Sequence, residues 1–171
     1  VIGAEIITNE GVLILLARSQ EGYRNLCRLL TASHLQNREA PIAGLDSLRQ
    51  HREHLICLTG GRESRLWQLA SKGAFSPAAT WLEALSRIFG SRLYVELCHG
   101  LQPDDGAVVH RLYRLAKAVA LPVVATNDVR FATPDDYRRY DLLNCIRLGI
   151  TVADPHPQRP RNAEAYLKTE A

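Results

Sequence analysis

The chain has 171 residues, 46% of them hydrophobic and 23% charged, with a net charge of +3. That length suits one domain with a proper core, and the composition is that of a soluble globular protein. No apolar run is long enough to span a bilayer, the opening VIGAEIIT lacks the basic segment of a signal peptide, and the mild basic excess permits nucleic-acid contact without arguing for it.

The first residue is Val1, with no initiator methionine, so the expectation is a chain cut from something longer; without a signal peptide or bilayer-spanning run, it is expected to be cytoplasmic and not membrane-bound. Cys27, Cys57, Cys98 and Cys145 are widely spaced and make no CxxC motif. They read as small buried hydrophobes and free thiols.

In chain order, Val1 to Thr8 reads as a strand with Glu5 as a carboxylate inside an apolar run. Such a charge is costly to bury unless it is paired, metal-bound or at an edge facing water. Asn9, Glu10 and Gly11 make a turn, and Val12 to Ala17 closes a hairpin. Ser19 caps a helix running to His34 or Gln36, with Leu26, Leu29 and Leu30 as its stripe and Cys27 on the flank. His34 sits where an imidazole suits the helix dipole, a structural role. A polar loop with Pro41 follows, then a short helix over Leu45 to Gln50 capped by Asp46 or the residues before it.

Leu55 to Leu58 is a strand ending in Thr59-Gly60-Gly61, a tight turn or a close backbone approach. Glu63 to Lys72 is helical with Leu66, Trp67 and Leu69 inward and Gly73 closing it. Ser76-Pro77 begins a helix through Trp81, Leu82, Leu85 and Ile88. Leu93 to Leu97 is a strand with Tyr94, Glu96 and Cys98 on one side, and His99 stands at its end. Asp104 and Asp105 cap a long helix to Ala120 with Val109, Leu112, Leu115, Ala116 and Val119 inward.

The next stretch, LPVVATNDVRFAT over 121–133, organises the rest. Val123, Val124 and Ala125 form an apolar run of the kind buried on both faces in parallel sheets. It turns abruptly to Thr126, Asn127 and Asp128, with Arg130 two residues on. Asn and Asp also make turns, so turn chemistry and a functional strand end both fit. Thr133-Pro134-Asp135-Asp136 starts a last helix to Leu148, with Leu142, Leu143 and Ile146 as its inner face and Gly149 ending it. The proline-rich DPHPQRPRN reads as an extended surface segment.

Strands and helices therefore alternate, which implies an α/β fold with a mostly parallel sheet or barrel. Right-handed crossovers bring strand ends to one edge, so Glu5, Gly60/Gly61, His99 and Asp128 would share a rim. A Glu, a His and an Asp there suit zinc, manganese or iron.

The segments VIGAEI, EGYRNLCRLLTASHL, LICLTGG, LYVEL, LPVVATNDVRFATPDD, DLLNCIRLGITV and AYLKT, in this order, resemble the PHP (polymerase and histidinol phosphatase) domain of bacterial C-family DNA polymerases. The resemblance covers nearly the whole chain, residues 1–171. It implies a partial, distorted (β/α)7 barrel, the later two-thirds or so of that domain, with a metal cluster at the strand ends. It implies metal-ligand positions at Glu5 of the GAE strand, at His99 after YVEL and at Asp128 of NDV, holding zinc or manganese. The magnesium of polymerase chemistry would lie outside this chain.

Two positions depart from the family pattern. Arg130 stands where active members have His, and no Cys or His lies close to Gly61. A guanidinium cannot ligate a cation and repels one. It can instead pair with Asp128 or Glu5. The resemblance thus implies a domain that is mainly structural, with a degenerate metal site and no catalytic residues of its own. Its parent would be a DNA polymerase III alpha subunit or an error-prone relative, meeting DNA, replisome proteins and a separate proofreading exonuclease subunit. The alternative is a metal-dependent 3′–5′ exonuclease or phosphoesterase. A free-standing phosphatase of the histidinol phosphate type fits the DLLNCIRLG and AYLKT segments less well.

Overall fold

The computed structural model describes residues 1–169. Five strands alternate with six α-helices: β1 Ile2–Thr8, β2 Gly11–Ala17, α1 Gln20–Gln36, α2 Leu45–His51, β3 Leu55–Leu58, α3 Arg65–Ser71, α4 Phe75–Phe89, β4 Leu93–Cys98, α5 Asp105–Ala118, β5 Val123–Thr126 and α6 Tyr137–Leu148. The chain forms two compact units, one of residues 1–97 with 107–125, the other of residues 98–106 with the described residues from 126 on.

In the larger unit the sheet order follows the chain, β1-β2-β3-β4-β5. The hairpin is tight: Thr8 pairs with Gly11 and Ile2 with Ala17. β2 runs antiparallel to both β1 and β3, while β3 and β4 are parallel. Hence β1, β3 and β4 point the same way, and the α/β character expected of a partial PHP barrel is present.

β3 is apolar on both faces, while β4 is apolar on its Leu93 and Val95 face and carries Tyr94 and the buried Glu96 on the other. Leu55, Cys57, Leu93 and Val95 have no exposed surface. The core joins these strands to Leu26 and Leu29 of α1, Leu66 and Trp67 of α3, Leu82, Leu85 and Phe89 of α4, and Leu112 and Ala116 of α5. Ser19 caps α1 by accepting from the Gly22 amide at 3.2 Å. Ser64 caps α3 by accepting from the Trp67 amide at 3.2 Å, so that helix starts at Arg65 rather than Glu63.

Several expectations are corrected. α4 starts at Phe75, so Ser76 and Pro77 lie inside its first turn rather than ahead of it. Of the two options for the α2 cap, the structure has Gly44, ahead of Asp46, at the N-cap with no side-chain bond, and Asp46 lies inside the first turn. Val123 and Val124 are only half-buried and Ala125 is exposed, because β5 is an edge strand of the sheet. On α6, Leu142, Leu143 and Ile146 are 49%, 63% and 67% exposed, and Asn144 and Cys145 are the buried residues. An apolar stripe at helical spacing marks a face, but the neighbours decide which face is covered.

The smaller unit is held by polar contacts. Thr133 and Asp136 form a reciprocal cap ahead of α6, and Gly149 ends that helix in the left-handed region at φ 67°. The proline-rich segment is irregular, as expected, but it is fastened. Arg159 donates to both carboxylate oxygens of Asp141, at 2.9 and 2.6 Å, and to the carbonyls of Val152 and Asp154. All four cysteines are free thiols.

Candidate metal site

Glu5 lies in the middle of β1, opposite Ile14 of β2. Alternation along β1 buries Ile6 and Thr8 and leaves Glu5 exposed, the water-facing option for a carboxylate in an apolar run. At the end of β3, Thr59 is fully buried; its amide donates to the Tyr94 carbonyl, and its hydroxyl accepts from the Glu96 amide at 3.0 Å. Gly60 follows at φ 81°, where a Cβ would lie 2.6 Å from the Val12 carbonyl oxygen. The Thr-Gly-Gly sequence is therefore the close backbone approach that the double glycine suggested, and Gly61 adds no ligating side chain. Below it, burial pushes the Cys57 thiol up, and the charge of the buried Glu96 adds to that.

His99 is exposed just after β4, and its Nδ1 accepts from the Leu101 amide at 3.3 Å. Its loop is fixed by Asp105, which is completely buried and accepts from the amides of Gly100 at 2.8 Å and Gln102 at 3.0 Å. Asp105 was expected, with Asp104, to cap the following helix; it is the first residue of that helix, and its carboxylate closes the preceding loop. Asn162 adds a bond from its side-chain amide to the Gly100 carbonyl at 2.7 Å.

Asp128 follows β5 in a left-handed conformation, φ 43°. Such a conformation is uncommon outside glycine but tolerated by Asp and Asn. Its carboxylate meets the Arg130 guanidinium at 2.8 Å. Asn127 faces other work: its side-chain amide donates to the carbonyls of Glu164 and Tyr166, each at 2.8 Å. With the Arg130 amide donating to the Ala165 carbonyl at 2.8 Å and a parallel bridge between Phe131 and Tyr166, the final segment is stitched to this strand end. Sequence reasoning gave Asn127 turn or site chemistry and missed this positioning role. The polar run Thr126-Asn127-Asp128 carries no signal of so distant a partner.

Among the described residues, no group of three or more His, Cys, Asp or Glu side chains stands close enough to hold a metal ion. Also among the described residues, no helix is long and apolar enough to cross a membrane.

Comparison with known proteins agrees with the architecture. The chain is 33% identical over 184 residues to the error-prone DNA polymerase of Symbiobacterium thermophilum, an alignment covering 97% of this chain and 17% of that protein. It is 37% identical over 150 residues to the DNA polymerase III subunit alpha of Caulobacter vibrioides, covering 86% of this chain and 13% of the relative. Against the DNA polymerase III subunit alpha of Escherichia coli (strain K12) it is 33% identical over 162 residues, with 92% and 14% covered. The chain thus spans about a sixth or less of the length of these curated relatives. The PHP domain family model matches residues 1–99, more than half of the sequence, and on that match and this fold the chain belongs to the PHP domain family.

Proposed function

We propose that this chain is the PHP region of a bacterial DNA polymerase III alpha subunit or an error-prone relative, and that its work is structural. It supports DNA-directed DNA synthesis by the parent polymerase in the cytoplasm, stabilises that polymerase's core and offers a docking surface to a separate proofreading exonuclease. The kinship with polymerase subunits supports the setting. One observation carries the loss of metal chemistry: Arg130 is engaged with Asp128 at 2.8 Å. A fixed positive charge occupies the place of a cation beside the one carboxylate of its strand end, and it repels an incoming ion. Glu5, His99 and Asp128 are on this reading the remnants of a ligand set that held zinc or manganese. The polymerase's magnesium belongs to other parts of the parent chain.

The competing reading is a metal-dependent 3′–5′ exonuclease. A labelled single-stranded DNA incubated with the protein and zinc or manganese separates the two. The structural reading expects intact DNA and a melting temperature unmoved by a chelator. Mononucleotide release that stops on chelation would refute it.

A further inference from the structure

Two open hollows lie side by side in the larger unit, and none of Glu5, His99 and Asp128 lines them. The first, of about 330 Å³, is lined by the hairpin turn at Asn9 and Glu10 and by Arg65, Gln68 and Lys72 of α3. The second, of about 420 Å³, is walled by Leu45, Pro77 and Trp81 and shares Glu10 and Arg65 with the first. The two differ in chemistry. Two cations and two side-chain amides surround the first against a single carboxylate, so it suits an anion. The second offers apolar and aromatic surface. At their junction the Arg65 guanidinium lies 5.5 Å from the centre of the Trp81 ring and pairs with Glu10.

An anion-binding hollow joined to an apolar one matches the two halves of a nucleotide. Proteins that hold single strands combine a cationic track for the backbone with flat π surfaces, including guanidinium planes, for the bases. A base in a duplex is stacked and paired, so only a splayed one could enter the second hollow. We propose that the paired hollows form a subsite for single-stranded DNA. A phosphodiester sits between Arg65 and Lys72, its base packs beside Arg65 toward Pro77 and Trp81, and Glu10 is the internal counter-ion that the phosphate displaces. The subsite uses none of the metal-site residues, so its failure and that of the degenerate-site reading are separate results.

The test is fluorescence anisotropy of a labelled oligothymidylate, with the whole chain, across a salt series. Wild type is expected to bind, and Lys72→Glu and Arg65→Ala to weaken binding by about tenfold each and to flatten the salt dependence by about one unit of slope. Glu10→Gln is expected to tighten binding several-fold by freeing Arg65. Lys117→Glu, which lines neither hollow, controls for bulk charge, and circular dichroism melts confirm that each variant folds. The proposal is overturned if wild type fails to bind, if Lys117→Glu loses as much as Lys72→Glu, or if Glu10→Gln weakens binding. Equal affinity for an abasic strand or a duplex of the same length also overturns it, because the base hollow would then be unused.

Discussion

Asp128 and Asp141 show one pairing chemistry put to two uses. Both are aspartates beside an arginine. The Asp128–Arg130 side chains are 58% and 44% exposed, and an ion pair so open to water adds little to stability. Its consequence is electrostatic occupation of a strand end. The Asp141–Arg159 side chains are only 14% and 21% exposed and bonded through two nitrogens. The Arg159 hydrogen bonds hold the Asp141 carboxyl below the usual carboxylate range. A carboxyl depressed in the folded state stabilises fully above its unfolded pKa and loses that contribution as the pH falls through the lower folded value. Asp141→Asn is therefore expected to cost about 1–3 kcal/mol near neutral pH, as for a hydrogen bond to a charged group. The difference from wild type should narrow below about pH 4, where the unfolded carboxyl protonates. Denaturant melts at several pH values check this, and a pH-independent difference would contradict it. The thiols give a second check at the same scale. Cys57, Cys98 and Cys145 are buried while Cys27 is partly exposed. Brief alkylation of the native protein should label Cys27 alone, and mass spectrometry of the labelled peptides reads the outcome.

Among the elements, α1 sets propensity against packing. Gly22 lies in its first turn, and on propensity alone Gly→Ala in a helix gains about 1 kcal/mol. Here a Cβ would collide with the backbone carbonyl of His54, which cannot swing aside as a side chain can. Gly22→Ala should therefore lower the melting temperature, and a rise would show that this loop yields. The same opposition explains what could be read in advance. Every strand and helix announced itself through apolar spacing, Ser19 as a cap and Gly149 as a stop, because those signals are local. The α6 stripe at Leu142, Leu143 and Ile146 misled because burial depends on what lies opposite. Asp105 looked like a cap; it is the first residue of α5, and its carboxylate accepts from amides of the loop before it. His99 and Asp128 could be picked out as strand-end residues and Arg130 as the misfit, whereas Glu5 lies in mid-strand. The contacts of Asn127 and Asn162 span 37 to 62 residues and left no trace in local spacing.

For the whole molecule, stability is unevenly distributed. The apolar cluster, from Ile6 to Ala116, lies entirely in the larger unit. The smaller unit relies on Phe131, Cys145 and a network of hydrogen bonds and ion pairs around Asp136, Asp141 and Arg159. Regions with few buried apolar contacts open at lower free energy than packed cores. Amide hydrogen exchange should accordingly be slowest at Leu55–Leu58 and Leu93–Leu97 and faster throughout 126–169. Leu85→Ala, at a side chain with no exposed surface, should cost about 2–5 kcal/mol. Uniform protection along the chain would contradict this division. Arg130 decides the state of the site, and metal content by elemental analysis of the parent polymerase carrying this domain, as wild type and as Arg130→His, reads it out. The expected result is a wild-type protein whose PHP region holds no zinc or manganese and a variant that gains it. Near-stoichiometric metal in the wild-type region would contradict the account and return Glu5, His99 and Asp128 to the role of working ligands.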